Sequence, residues 1–100
     1  GTGLTLSAPH LLDIFIQNTE TYLDQVVEHG NDQELFIASY LQGHFAVAAG
    51  QSQVQNMTQV AELSELMQHS LHQAFENKEL IDEDQQQVQS LWQTLLAAEK

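Results

Sequence analysis

The residues from Leu35 to Ala49 contain no charged side chain, although acidic residues are frequent on both sides of this run. At about 100° per residue, a helix through the run places apolar side chains on almost every side. A helix that is apolar all round has to be surrounded by other elements. We therefore predict that this helix is the most buried one of the fold.

The start and the end of this helix can also be predicted. Asn31 and Glu34 have the spacing of a capping box, in which each side chain accepts a hydrogen bond from a free backbone N–H of the other residue. Gly50 follows Ala49 and is the expected end of the helix. The helix projection places one continuous apolar face on Ile37, Tyr40, Leu41, His44 and Ala48, flanked by Phe36, Phe45 and Val47.

Three further segments have apolar residues at three- and four-residue spacings, which is typical of amphipathic helices. They cover about residues 8–29, a segment from Val54 or Thr58 to Glu76, and a segment from Asp82 to near the C-terminus. The predicted apolar stripes comprise Leu12, Phe15, Ile16, Tyr22, Leu23 and Val26, then Met57, Val60, Leu63, Met67, Leu71 and Phe75, and finally Val88, Leu91, Trp92 and Leu95.

The ends of two of these helices are marked by residues with special backbone preferences. Ser7 is the expected N-cap of the first helix, and Pro9 in the first turn has no N–H that would need a partner. Gly30 after the first helix and Asn77 after the third are expected to adopt the left-handed conformation that closes a helix.

No segment alternates apolar and polar residues as a strand would, and no Asn-Gly or Asp-Gly hairpin turn occurs. Amphipathic helices with short connections predict an all-α fold, an antiparallel four-helix bundle. We expect residues 1–7 to be a disordered or extraneous N-terminal segment and residues 8–100 to form a single helical-bundle domain.

The charge balance excludes several classes of function. The chain has 14 Asp and Glu against two Lys and no Arg, a formal net charge of -12, and no cysteine. It lacks the cations that neutralise phosphates or anionic lipids, so nucleic-acid and membrane partners are not expected. Disulfides and cysteine-ligated metals are impossible. With no signal peptide and no apolar run near the roughly 18 residues of a membrane span, we expect a cytoplasmic protein.

His44 is the first candidate for a functional side chain, because it follows Tyr40 by one helical turn on the apolar face and stands next to Gly43. One interpretation is a buried general base or a pH-sensitive group. The other is a core histidine bonded to a carbonyl or hydroxyl group, with Gly43 admitting a neighbouring helix. No complementary catalytic residue adjoins it in the sequence, so the structural interpretation is favoured and no catalytic residue is predicted.

The third helix carries a second candidate, because Glu65, His69, His72 and Glu76 recur at spacings of four, three and four and form a column. Such side chains can bind zinc, nickel or iron. The column lies opposite the apolar stripe of its helix, and no second helix carries the Glu-x-x-His motif of di-iron bundles. We expect it to be a solvent-exposed polar face, so no metal or other cofactor is predicted.

Asp82, Glu83 and Asp84 stand together at the start of the fourth helix, and clustered carboxylates can bind calcium. They lack the loop glycine and the final glutamate of a calcium-binding loop. Acids in a first turn are favoured by the helix dipole, and Gln85 follows Asp82 at the spacing of a capping pair. Helix capping is therefore the favoured interpretation.

Two stretches, Asn31 to Gly50 and Asn77 to Trp92, resemble the YfcL family of small acidic proteobacterial proteins. The most specific motif is DxELFxxxYLxGH, carried by Asp32, Glu34, Leu35, Phe36, Tyr40, Leu41, Gly43 and His44. The resemblance extends from about Leu12 to Leu96. It implies a helical, cytoplasmic, proteobacterial protein and transfers no catalytic residue.

Two classes of function remain. The favoured one is a non-enzymatic interaction or accessory protein, monomeric or homodimeric, whose partner is a basic protein surface. The alternative is a bundle that binds a small molecule or a metal through His44 and Tyr40, or through the column of His69 and His72. A deep polar cavity at His44 would favour the alternative, whereas a filled core with an exposed apolar patch would favour the interaction protein.

Overall fold

The computed structural model describes the backbone of residues 8–98 and the side chains of residues 11–98. In this range the chain forms α1 (Ala8–His29), α2 (Asp32–Val54), α3 (Val60–Glu76) and α4 (Asp82–Ala98), and it contains no strand. The predicted all-α helical bundle is confirmed. None of these helices combines the length and hydropathy of a membrane-crossing segment. The predictions for Ser7 and for residues 1–7 lie outside the described residues.

Helices that follow one another in the chain run antiparallel, whereas α2 and α4 run parallel, since Gln33 at the start of α2 bonds Asp84 at the start of α4. Asp24 near the end of α1 accepts a hydrogen bond from the Gln42 side chain of α2, whereas Asp13 near the start of α1 lies beside Gln53 near the end of α2. The side-chain amides of Gln68 in α3 and Gln89 in α4 bond each other reciprocally at 3.2 and 3.5 Å. Helix α2 contacts each of the other three helices, so it occupies the centre of the arrangement.

The core is organised around Phe15, Phe45 and Trp92, one aromatic residue from each of α1, α2 and α4. Their ring centroids lie 6.0 to 6.4 Å apart. Phe15 meets the other two rings in the edge-to-face geometry that aromatic quadrupoles favour, and Phe45 and Trp92 are tilted by 52°. The Nε1 atom of Trp92 is buried without a hydrogen-bond partner among the described residues. The other fully buried large apolar side chains are Leu23, Leu41, Leu63, Met67, Leu71 and Val88.

The predicted start of α2 is confirmed. The Glu34 N–H donates to Oδ1 of Asn31 at 2.8 Å, and the Asn31 N–H donates to Oε1 of Glu34 at 2.9 Å. These reciprocal bonds satisfy N–H groups that have no partner within the helix. The helix start that follows the short connection from α1 is thereby fixed by two residues only three positions apart.

The predicted end of α2 at Gly50 is wrong, because the helix continues to Val54. Gly50 has no positive φ, and the helix closes instead at Asn56, which has a φ of 57°. The Met57 N–H reaches back to the Ser52 carbonyl at 2.9 Å, as in a Schellman motif. Because the Ser52 side chain is fully buried, the additional turn belongs to the core.

The predicted left-handed residues at Gly30 and Asn77 are also wrong. Asn77 has a φ of -78°, and the left-handed residue is Lys78, with a φ of 60°. Gly30 has no positive φ and is required for space instead. A Cβ atom there would lie 2.6 Å from the Val26 carbonyl oxygen and 2.9 Å from Cβ of Glu34.

The fourth helix begins at Asp82, as predicted, but not through a capping pair of Asp82 and Gln85. The Gln85 side-chain amide donates to the Leu80 carbonyl at 2.9 Å, and the Gln85 N–H donates to the Ile81 carbonyl at the same distance. The glutamine thus ties the start of α4 to the preceding connection.

The prediction that α2 is enclosed on all sides is wrong. The other helices cover the side that carries Ile37, Leu41 and Phe45, all of which are buried. The opposite side is exposed. We call it the open face of α2, and it consists of Phe36, Ser39, Gly43, Ala46, Val47, Gly50 and Val54.

Most residues of the predicted apolar stripes of α1, α3 and α4 are buried, with exceptions at the stripe edges. Tyr22 of α1 was expected in the core but is 43% exposed, whereas Thr19 is buried in its place. Five of the predicted core residues lie only half-buried at the edges: Val26, Met57, Val60, Phe75 and Leu91.

Candidate functional site

His44 does not lie in the core, contrary to the prediction, but is half-buried between α2 and α3. Its Nδ1 lies 2.6 Å from Oγ of Ser70, so a hydroxyl group of α3 holds the imidazole in place. The ring centroid of His44 is 4.8 Å from that of Tyr40. The hydroxyl partner matches the structural interpretation, and the sequence could not identify Ser70 because it lies on another helix.

Tyr40 is the second residue of this cluster and connects it to the segment between α3 and α4. Its phenol donates a hydrogen bond to Oε1 of Glu79 at 2.9 Å. Burial of the phenol, the hydrogen bond and the negative charge of Glu79 together raise the pKa of Tyr40 to about 12. Tyr40 is therefore a neutral hydrogen-bond donor throughout the physiological pH range.

Gly43 does not share the surroundings of Tyr40 and His44, although all three belong to the motif singled out in the sequence. It lies on the open face of α2, and a Cβ atom at this position would have no neighbouring atom within 4 Å. None of the four described helices therefore uses the space that the glycine provides.

The column on α3 is exposed at all of its positions, Glu65, His69, His72 and Glu76. Nε2 of His72 lies 3.0 Å from Oε2 of Glu76, one helical turn away. Within residues 11–98, no group of three or more His, Asp or Glu side chains is arranged to hold a metal ion. The four residues form a water-facing surface of α3.

The acids at the start of α4 include one that connects two helices. Oδ1 of Asp84 accepts a hydrogen bond from the Gln33 side chain of α2 at 2.9 Å, while Asp82 and Glu83 are exposed. Glu83 also borders a shallow cleft of about 470 Å³ between α2 and α4, together with Glu34 and Leu91. The three carboxylates at the start of α4 therefore do not point towards one common site.

Four clefts on the surface of the described residues lie away from the cluster of His44 and Tyr40. Besides the cleft between α2 and α4, one of about 360 Å³ lies between α1 and α4 and one of about 490 Å³ between α1 and α2. A smaller one of about 240 Å³ lies near Met57. Neither His44 nor Tyr40 lines any of the four.

Four carboxylates form a row along the exposed side of α1, which we call the acidic ridge: Asp13, Glu20, Asp24 and Glu28. Their spacing places them on one stripe of the helix, about 22 Å long at about 1.5 Å per residue. Within residues 11–98, the only carboxylates at ion-pair distance from a basic side chain are Glu28, beside His29, and Glu76, beside His72. The ridge therefore has no lysine partner in this part of the chain.

The ridge borders the open face of α2. Asp13 and Glu20 line the cleft between α1 and α2 together with Ala46 and Gly50. Helical periodicity places the four ridge residues opposite the apolar stripe of α1, so the sequence alone predicts that they face solvent. It did not reveal the open face of α2 beside them, because the run without charges has no polar stripe that would mark a solvent side.

Comparison with known proteins identifies a family for most of the chain. A family model described as YfcL protein matches residues 13–97. The curated protein "Uncharacterized protein YfcL" of Escherichia coli (strain K12) is 30% identical over 73 residues, which cover 73% of this chain and 79% of the relative. No solved structure gives a significant match.

Proposed function

The chain belongs to the YfcL family, and we propose that it is a non-enzymatic interaction protein that binds a basic surface of a partner protein. The observation that carries the proposal is the acidic ridge of α1. Four carboxylates project from one exposed stripe, and no lysine neutralises them within the described residues.

Such a row of negative charge without a lysine partner attracts cations over a distance. Charges of one sign on a surface raise the association rate with a surface of the opposite sign, and the effect decreases as salt screens the field. The net charge of -12 adds to the local field, since only two lysines oppose 14 acids in the whole chain. A basic partner is therefore attracted, whereas an acidic one is repelled.

The packing of the bundle also supports an interaction protein over a binder of metals or small molecules. The centre of the bundle is filled by Phe15, Phe45 and Trp92, and the clefts described above do not reach His44. An exposed apolar patch remains on α2. A filled core with an exposed apolar patch is typical of proteins that dock onto other proteins.

The proposal is tested with two variants of equal net charge. The ridge variant combines Asp13→Asn, Glu20→Gln, Asp24→Asn and Glu28→Gln. The control variant combines Glu65→Gln, Glu76→Gln, Asp82→Asn and Glu83→Gln, four exposed acids of α3 and α4. The immobilised parent chain is used to capture partners from an Escherichia coli lysate, and the association rate of each captured protein is then measured with all three chains.

For a captured basic protein, we expect the ridge variant to associate about tenfold more slowly than the parent, and the control to differ much less. Raising the salt concentration from about 0.05 to about 0.5 M shortens the Debye length from about 14 to about 4 Å. This change should lower the association rate of the parent chain. A rate that does not change with salt, or an equal loss in both variants, would show that the ridge does not recognise the partner.

A further inference from the structure

We infer that the open face of α2 is the docking surface for an amphipathic helix of the partner, with apolar residues along its centre and lysine or arginine on both flanks. This inference rests on the proposed function and adds the place of binding and the shape of the bound segment. It is carried by the chemistry of the open face, by its small residues and by the charges at its edges.

The open face is uncharged and exposed in a chain that is otherwise rich in acids. Val47 is 60% exposed, Val54 is 82% exposed and Phe36 is 43% exposed. From Phe36 to Val54 the face extends for about 27 Å at about 1.5 Å per residue, the length of a helix of about 18 residues. An apolar helical face of this length is suited to binding another helix side by side.

Small residues alternate with the large ones along this face. Gly43 and Gly50 leave the space beside the backbone of α2 empty, since a Cβ atom at either position would meet nothing within 4 Å. Ala46 lies between them and is also exposed. A partner helix can therefore approach α2 closely and place large side chains over the glycines, between Phe36 and Val47 or between Val47 and Val54.

Acids lie at both edges of the open face, two on the α1 side and one on the other. On the α1 side, Asp13 and Glu20 of the acidic ridge line one cleft with Ala46 and Gly50. On the other side, Glu79 bonds the phenol of Tyr40 at the edge of α2. An apolar stripe between two acidic edges is complementary to an apolar helix with cations on both flanks.

The same charges argue against a second copy of this chain as the occupant. In an antiparallel pair of open faces, the acidic ridge of one copy would lie beside the acidic ridge of the other. In a parallel pair, each ridge would lie beside the Glu79 edge of the other copy. Both arrangements oppose like charges, and each copy carries a net charge of -12.

The test uses a synthetic peptide of about 18 residues, the length of the open face. Leucines recur at helical spacing and lysines occupy all other positions. A peptide of the same composition in scrambled order is the first control. The parent chain is compared with Val47→Gln on the open face and with Ile81→Gln, a matched change at a residue that is 64% exposed and lies before α4. Both substitutions replace exposed apolar side chains, so neither should unfold the bundle.

We expect the parent to bind the amphipathic peptide and to bind the scrambled peptide at least tenfold more weakly. Val47→Gln should weaken binding of the amphipathic peptide about tenfold, because one buried valine contributes about that much. Ile81→Gln should leave the dissociation constant within about twofold of the parent value.

Each other result contradicts the inference and leaves the proposed function separately testable. If the peptide binds equally well to both glutamine variants but weakly to the ridge variant, the acidic surface recognises cations and the open face does not. If the parent does not bind the peptide while its lysate partner still depends on the ridge, the docking surface is wrong and the proposed function stands. A dimer in sedimentation that dissociates in Val47→Gln would identify a second copy as the occupant.

Discussion

The two sides of α2 differ sharply in exposure, although both come from the same run without charges. Phe45 on the covered side is 1% exposed, whereas Phe36, nine positions earlier on the same helix, is 43% exposed. Both positions are phenylalanine in an uncharged sequence context. Burial is therefore decided by which side of the helix the neighbouring helices occupy, and not by the hydrophobicity of the residue.

The geometry of a small bundle explains the difference. All three other helices pack against the covered side of α2, with α1 at one edge of it and α3 at the other edge. Leu41 and Phe45 lie on this covered side and are buried. A further helix would be needed to cover the open face, and the described residues do not provide one. Exposed apolar atoms are normal on proteins, but a continuous uncharged face is less common and indicates a contact surface.

The largest expected effect compares the same substitution on the two sides of α2. Phe45→Ala should lower the free energy of unfolding by about 3 to 5 kcal/mol, because it leaves a cavity beside Phe15 and Trp92. Phe36→Ala should lower it by only about 1 kcal/mol, since 43% of this residue is already exposed. Urea unfolding followed by circular dichroism measures both. Equal losses would show that the open face is covered by structure of its own.

Alanine substitutions at two glycines should change the free energy of unfolding by intermediate amounts and in opposite directions. Gly30→Ala should destabilise the protein by about 1 to 3 kcal/mol, because its Cβ would lie too close to the Val26 carbonyl and to Glu34. Gly43→Ala on the open face should stabilise it by about 0.5 to 1 kcal/mol, because alanine is the better helix former and the space is empty. Thermal unfolding of both variants checks the signs. A destabilised Gly43→Ala chain would mean that something already occupies the open face.

The smallest expected effect is a pH dependence of stability that comes from Tyr40, which lies at the edge between the covered side and the open face of α2. Its pKa is raised to about 12, so the folded state retains the phenolic proton where the unfolded state, with a pKa near 10, has lost it. The stabilisation is complete below pH 10 and is lost as the pH rises towards 12. Glu79→Gln should move the pKa of Tyr40 back towards 10. Ultraviolet titration in a Tyr22→Phe background observes Tyr40 alone, and an unchanged midpoint would show that Glu79 contributes nothing.

Local features of the sequence predicted most of the helices and their starting points. The capping box of Asn31 and Glu34 formed as expected, because both partners lie within one turn of the backbone. The ends were predicted less well. Lys78 adopts the left-handed conformation that was predicted for Asn77. Helix α2 continues past Gly50 and closes at Asn56, because the buried Ser52 makes the additional turn part of the core.

The candidate site was predictable only in part. The sequence placed Tyr40 and His44 one turn apart on α2, and that proximity holds because it is a property of the helix itself. The partners Ser70 and Glu79 come from distant positions in the chain and could not be inferred from spacing along one helix.

The sequence by itself determined that this protein is helical, that it is strongly acidic and that one helix carries no charge over several turns, because these properties depend on composition and on local periodicity. Only the tertiary structure decided which side of that helix is covered. An uncharged helix can be buried on any side, and the choice depends on the directions from which α1, α3 and α4 approach it. The open face and the acidic edges beside it exist because the three helices packed against the other side.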